Sequence, residues 1–300
     1  AFGNPGPLEP TTTPGQGSQT CGRYRNMEKP SKRITLVATD ADGTLLGSDG
    51  QISSVSRQTI QEAHRRGIRI ILATTRNQRD VQDFATTLEI DDPIICANGS
   101  QVFASPEGTI WANLTVPRTI ALRLAHLADE MEWEMVTTVD TTSYYKQRPG
   151  QSLGSIFGTD RMIVATNSDG IVGDAIRILV WQPDAIRAFC EKCEAEFSDS
   201  CYTTTFYKPD GSLNSLGVFA HGADKGNAMQ LVLSRLGIPV GEVMAVGDND
   251  NDLPMFTQAG FKVAVSNGTQ SLKDAADVIA PTNDEDGVGW AIRKYILIGN

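Results

Sequence analysis

Two aspartates one residue apart, Asp40 and Asp42, end an apolar run and precede a glycine in Asp40-Ala41-Asp42-Gly43-Thr44-Leu45. An ionised carboxylate is costly to take from water unless it is paired or hydrogen-bonded, so two at the mouth of a buried strand call for a chemical reason. Placed there, Asp40 can attack phosphorus, while Asp42 can reach the leaving oxygen as a general acid. The N–H groups of the turn at Gly43 can hold phosphate oxygens. A further carboxylate, Asp248, opens Gly247-Asp248-Asn249-Asp250-Asn251-Asp252 after another apolar run. With Asp40 it makes a hard oxygen donor set of the kind Mg2+ takes, completed by a backbone carbonyl, water and substrate phosphate. A cation there offsets the repulsion between an attacking carboxylate and a phosphate dianion. Thr74 offers a hydroxyl at a third strand end, and Lys225 an ammonium at the start of a helix, where anions are favoured.

Taken singly, each of these residues has an ordinary explanation. An Asp-Gly pair in a loop usually caps a turn, a lone lysine is usually solvated, and a threonine at a strand end is commonplace. Their weight comes from occurring together, in this order, at successive strand ends. Both aspartate clusters begin like a calcium loop, but Leu45 and Leu253 stand where glycine is required, and Gln51 and Ala259 where glutamate is required. The histidines, His64, His126 and His221, are scattered and form no cluster. Cys190 and Cys193 form a CxxC inside the helical text AFCEKCEAEF, which reads as structural. The Walker, GxSxG, HExxH and GxGxxG templates are all missing.

A net charge of −10 argues against binding to a nucleic-acid backbone. No apolar run approaches the ~20 residues that cross a bilayer. The five cysteines, Cys21, Cys96, Cys190, Cys193 and Cys201, lack zinc-finger spacing and suit a reducing, cytoplasmic setting.

Residues 1–30, rich in Pro, Gly, Thr and Ser, predict a disordered leader, with Met27 standing where a natural start would lie. From Ile34 the text changes to short apolar runs (ITLVAT, IRIILAT, PIICA, EVMAVG, FKVAVS, DVIA) separated by helical patterns that stop at Gly67, Gly237 and Gly260. Runs apolar on both faces predict a parallel sheet covered on two sides, with its ligand site at the carboxyl ends of the strands. The middle of the chain reads differently, as helices over 117–131 and 183–197, each followed by strand-like text (EMVTTV and SYYKQ, then CYTTTFYK, the turn Pro209-Asp210-Gly211 and LNSLGVF). The expected fold is therefore α/β, a Rossmann-like parallel-sheet core over residues 31–114 and 216–300, interrupted by an inserted α+β cap over 115–215 with its helices on an antiparallel sheet.

At this point the chain resembles the haloacid dehalogenase-like hydrolase superfamily, and within it the Cof-type phosphatases with a C2B-type cap. The resemblance rests on DxDGTLL at Asp40–Leu46 and GDxxNDxxM at Gly247–Met255, and extends over residues 27–300. The short stretch between Asp40 and Thr74 leaves no room for a domain, whereas that between Thr74 and Lys225 does, which is the Cof-type placement. The resemblance implies Asp40 as nucleophile, Asp42 as acid and then base, and Mg2+ held by Asp40, Asp42 and Asp248. It implies phosphate contacts from Thr74, Lys225 and Asn251, with Asp252 supporting lysine and metal. Gly43 and Thr75 join the expected phosphate contacts; Thr75 replaces the glycine usual in the family and alters the backbone approach to phosphate. Ala41 replaces a larger apolar residue and adjusts local packing. The implied activity is hydrolysis of a small phosphorylated metabolite, a sugar or cofactor phosphate, by a monomer or weak homo-oligomer. A phosphomutase or phosphotransferase using the same aspartyl-phosphate, or a catalytically silent metabolite-binding regulator, stays open. Tyr144, Tyr145 and Lys146 are cap candidates for choosing the substrate, though paired tyrosines in a strand also suit sheet packing.

Overall fold

Leu36–Thr39 forms strand β1, and all four of its residues are buried, as a strand covered by helices on both faces must be. The structure, a computed structural model, describes residues 29–146, 160–208 and 210–298. The expected leader thus lies, but for residues 29 and 30, outside the described residues, as do Cys21 and Pro209.

After β1 the chain alternates helix and strand: α1 (Ser54–Arg65), β2 (Arg69–Ala73), α2 (Gln78–Leu88) and β3 (Ile94–Cys96), then the antiparallel strands β4 (Gln101–Phe103) and β5 (Ile110–Asn113). Each helix starts where a side chain can satisfy a free N–H: Ser53 accepts from Ser56 and Asn77 from Asp80.

The chain then builds the insert: α3 (Arg118–Glu130), β6 (Met135–Val139), β7 (Thr142–Lys146), β8 (Arg161–Val164), β9 (Arg177–Val180), α4 (Pro183–Glu196), β10 (Cys201–Tyr207) and β11 (Leu213–Ala220). Its six-stranded sheet runs β10-β11-β9-β6-β7-β8. Ile120, Leu124, Ala185 and Phe189 of the two helices pack with Met135, Ile178, Leu216 and Val218 of the sheet. Two features depart from the expected insert. Strands β8 and β9 were not foreseen, because neither RMIV nor RILV alternates apolar with polar residues, and β7 pairs with β8 in parallel, across a connection far longer than a hairpin turn. Strand β11 also continues through residue 215, the expected boundary, to Ala220, pairing there with β10 and through Val218 with β9. Its buried run from Ser215 belongs to a single strand that leaves no seam to mark where the insert ends.

The return segment supplies α5 (Lys225–Leu236), β12 (Val243–Gly247), α6 (Leu253–Thr257), β13 (Phe261–Val265), α7 (Gln270–Ala275), β14 (Val278–Ala280) and α8 (Gly287–Ile292). The core sheet runs β14-β13-β12-β1-β2-β3-β4-β5, with neighbouring strands parallel from β14 to β3. β1 lies between β12 and β2, with Thr39 opposite Val246 and Leu72. That register brings Asp40, Asp248 and Thr74 to the same carboxyl edge, at the place where the chain's connections diverge to either side. Among the described residues no helix is long and apolar enough to cross a membrane.

Candidate active site

Lys225 is the fully buried centre of the site. Its Nζ lies 2.8 Å from Asp40 Oδ1 and 2.6 Å from Asp252 Oδ1. It is the first residue of α5, whose N-cap, Asp224, accepts the Asn227 N–H at 2.8 Å. The cap packs against Gly99, at φ +98°, where an added Cβ would stand 2.2 Å from the Asp224 carbonyl oxygen. Only glycine admits both that backbone and that approach.

Asp252 shapes the loop with its second oxygen, Oδ2, which accepts the N–H groups of Asp248 at 3.0 Å and Asn249 at 3.2 Å. Asp248 Oδ1 accepts the Thr44 hydroxyl at 2.7 Å. Gly43, at φ +77°, leaves room for the other oxygen: a Cβ there would fall 2.5 Å from Asp248 Oδ2. Its carbonyl accepts Asn267 Nδ2 at 2.8 Å. With a cation held by Asp248, Gly43→Ala would push that carboxylate off its position and weaken apparent affinity for the cation by about 10–100-fold, the range for disturbed support of a metal site. Titrating Mg2+ against activity checks this, and an unchanged titration would count against Asp248 as a ligand.

Carboxylate oxygens of Asp40, Asp248 and Asp252 lie within 4.8 Å of one another. Burial pushes the Asp40 carboxyl up to about 7; Lys225 opposes this, while Asp252 and Asp42 add to it. Burial likewise holds Asp248 well above the usual carboxylate range, with Asp40 and Asp252 contributing. Burial disfavours the charge on Lys225, but Asp252 and Asp40 outweigh it and raise its pKa. Three carboxylates facing one ammonium leave a surplus of negative charge on oxygen donors, which a hard divalent cation would relieve. Asp40 and Asp248 fit that role best, since both Asp252 oxygens are engaged, one with Lys225 and the other with two backbone N–H groups, whereas Lys225 takes only one oxygen of Asp40.

The raised Asp40 pKa has a consequence for stability. Folded Asp40 holds its proton up to about pH 7, whereas the unperturbed group titrates near 3.8, so across that window the folded chain binds more protons than the unfolded one. The stabilisation is complete below the unfolded pKa and is lost as pH rises through the folded one. With EDTA present, Tm is expected to fall from pH 5 to pH 8 by several degrees more in the wild type than in Asp40→Asn, and Mg2+ to shrink that difference. Equal slopes in thermal melts of the two proteins would contradict the assignment.

Asp42 stands outside the carboxylate cluster. Arg76 holds it with two bonds, Nε to Oδ2 at 2.8 Å and the second guanidinium nitrogen to Oδ1 at 2.7 Å. The guanidinium also lies 5.1 Å over the Phe84 ring. Thr74 is buried, and its hydroxyl oxygen accepts the Arg76 N–H at 3.1 Å, which leaves the hydroxyl hydrogen for an acceptor. Thr75 meets the cap, its carbonyl accepting from Arg177 of β9. Asn251 Nδ2 donates to Asn98 Oδ1 at 2.9 Å, Asn98 Nδ2 to the Tyr202 hydroxyl at 3.2 Å, and that hydroxyl to the Ala223 carbonyl at 2.7 Å.

The structure thus joins Asp40, Asp248, Asp252, Lys225 and Gly43 in one cluster, and sets Asp42 with Arg76 beside it. Residues not foreseen are Thr44, Arg76, Asn98, Asn267, Tyr202 and Arg177. Thr44 and Arg76 sit within or next to the motifs and could have been noticed; the two cap residues carry no local signal. Of the cap candidates, Tyr145 is packed with Val136, Leu179 and Trp181, as alternation along β7 requires, while the Tyr144 side chain faces Gly170. The cap reaches the site's surroundings through Arg177, Tyr202 and the Tyr207 carbonyl, which accepts Asn249 Nδ2 at 3.1 Å. A cavity of about 430 Å³ borders Asp248 and Asn249, with Lys208 of the cap and Lys273 of α7 on its walls.

The sequence profile of the haloacid dehalogenase-like hydrolases matches residues 37–292. The chain is 29% identical over 276 residues, 91% of its own length and 100% of the other's, to a 5-amino-6-(5-phospho-D-ribitylamino)uracil phosphatase of Bacillus subtilis. It is 28% identical over 262 residues, 87% of its own length and 97% of the other's, to a phosphoglycolate phosphatase of Methanopyrus kandleri. The crystal structure of a haloacid dehalogenase-like hydrolase from Bacteroides thetaiotaomicron shares the fold, with a TM-score of 0.77 over 87% of this chain and 99% of that one at 24% identity.

Proposed function

We infer, because this chain belongs to the haloacid dehalogenase-like hydrolase family, that it is a phosphatase that uses Mg2+ and hydrolyses a small phosphorylated metabolite through an aspartyl-phosphate on Asp40. The observation that carries this is the Asp40–Lys225 ion pair at 2.8 Å beside Asp248, at the carboxyl edge of the central strands.

In this reading Asp40 attacks phosphorus in line with the departing oxygen. Lys225, the Thr74 hydroxyl and the Asn251 amide hold the phosphoryl oxygens, while the N–H groups at Gly43 and Thr75 complete the cradle. Asp42, once parted from Arg76, takes up a proton from solvent and gives it to the leaving oxygen. It then takes a proton from the water that attacks the aspartyl-phosphate, which releases inorganic phosphate and restores the Asp40 carboxylate. Asp40 and Asp248, with the backbone carbonyl of Asp42, would hold the cation, which supplies charge neutralisation between carboxylate and phosphate dianion. Proton transfer alone contributes about 10²–10⁴-fold, far short of the ~10²¹ that phosphate monoester hydrolysis can demand, so the charges of the cradle must supply much of the remainder.

The named relatives act on a phosphorylated ribitylaminouracil and on phosphoglycolate, and we place this chain's substrate in the same broad class of small phosphate monoesters. The test is release of inorganic phosphate from p-nitrophenyl phosphate and a panel of metabolite phosphates, with Mg2+ or EDTA. Metal-dependent release is the expected result. A wild type that released none, with or without Mg2+, would sink the hydrolase reading and leave phosphoryl transfer to an acceptor as the next assay.

A further inference from the structure

Arg177 is only 3% exposed, yet among the described residues no carboxylate is in ion-pair contact with it. Its Nε donates to the Thr138 hydroxyl at 3.1 Å, which is itself 3.1 Å from the Ser143 hydroxyl, and its terminal nitrogen donates to the Thr75 carbonyl. Those bonds occupy two of the five guanidinium donors. The carboxylates whose charge acts on it most are Asp80 and Asp42. Asp42 is already gripped at both oxygens by Arg76, and Asp80, whose carboxyl burial pushes up while Arg76 and Arg177 draw it down, makes no ion-pair contact with the guanidinium among the described residues. A guanidinium removed from water without a paired anion is costly, so it is more at ease when a ligand brings the anion.

Its position says where that anion would sit. In-line attack by Asp40 sends the leaving oxygen toward the general acid, Asp42. Arg177 crosses from the cap to the carbonyl of Thr75, and the next residue, Arg76, holds Asp42. The departing part of a substrate must therefore pass between the cap and this loop. Lys208 and Lys273 line the cavity beside Asp248, on the cluster's other flank.

We propose that Arg177 is a specificity-determining residue that binds an anionic group, a carboxylate or a second phosphate, on the leaving portion of the substrate. The proposal rests on the phosphatase reading above. Thr138 and Ser143 fix the guanidinium beforehand, so little freedom is lost when the anion arrives. Because Arg177 belongs to the cap and Thr75 to the core, an anion bound there also draws the two together over the reacting group.

The test compares kcat/KM within matched pairs: 3-phosphoglycerate against glycerol 3-phosphate for a carboxylate, and fructose 1,6-bisphosphate against fructose 6-phosphate for a second phosphate. The wild type is expected to favour the anionic member of at least one pair by roughly 10–100-fold, the size of charge-assisted hydrogen bonds to a fixed guanidinium. Which pair shows the preference identifies the anion. Arg177→Gln should bring the ratio to near one, chiefly through KM, and Arg177→Lys, which keeps the charge but loses the fork, should fall between. A purely structural arginine would lower both members alike and leave the ratio intact, and that result overturns the proposal. So does a wild-type ratio near one in both pairs, or a preference that survives in Arg177→Gln and disappears in Lys273→Gln. If Arg177→Gln does not fold, an undiminished ratio in Arg177→Lys is the overturning result. Phosphate release without charge preference rejects this inference alone; no release from any compound rejects the hydrolase reading with it.

Discussion

Asp40→Asn is expected to abolish measurable phosphate release, a loss on the order of 10⁴–10⁶ in kcat, by comparison with removal of nucleophiles in other covalent catalysts. The amide keeps the shape of the carboxylate and its carbonyl oxygen can still accept from Lys225 Nζ, now 2.8 Å from Asp40 Oδ1. The fold should therefore persist. Without metal the variant should be at least as stable at neutral pH, because the substitution removes a buried charge that faces Asp252 and Asp42 and whose carboxyl is pushed up to about 7. Rapid-quench detection of phosphorylated protein gives an independent check: a labelled intermediate in the wild type, none in the variant. A variant that retained a tenth of the wild-type rate would remove Asp40 from the nucleophile's role.

Lys225→Met should damage both stability and turnover. Methionine matches the length of the stem, so the main change is loss of the ammonium between Asp40 and Asp252, both buried. Removing one partner of a buried ionic group leaves uncompensated charge and costs about 3–5 kcal/mol. Loss of a donor to phosphoryl oxygen adds a fall of roughly 10²–10³ in kcat. Mg2+ should recover part of the stability, by supplying positive charge near Asp40 and Asp248, and little of the turnover. The double variant Lys225→Met/Asp252→Asn should be more stable than Lys225→Met alone, since it removes one of the stranded charges. Urea melts with and without Mg2+ measure these differences. If Lys225→Met unfolded within about 0.5 kcal/mol of the wild type, the buried ion pairs would not be holding the site together.

The sequence by itself determined the local parts of this protein. Strand β1 is readable because an apolar run closed by Asp40 has a short period and a clear stop, and α5 because its apolar spacing ends at Gly237, which the structure finds at φ +67° as a left-handed cap. The chemistry-bearing residues lie at such ends, so their types and order were legible before any contact was known. The tertiary structure decided what those residues do to one another. Asp252 and Lys225, far apart in the chain, meet at 2.6 Å only because α5 and the loop after β12 pack at the same edge. Asp42, expected among the metal ligands, has its carboxylate held by Arg76 across the loop that follows β2. Strands β8 and β9 carry no alternation to announce them, and β11 crosses the expected end of the cap without a break. Arg177 illustrates the limit most plainly: nothing around it in the chain marks it, yet cap packing carries it to Thr75. Periodicity and turn chemistry are local properties of the chain, whereas register, burial and charge pairing arise between distant segments and exist only once the sheet and cap have packed.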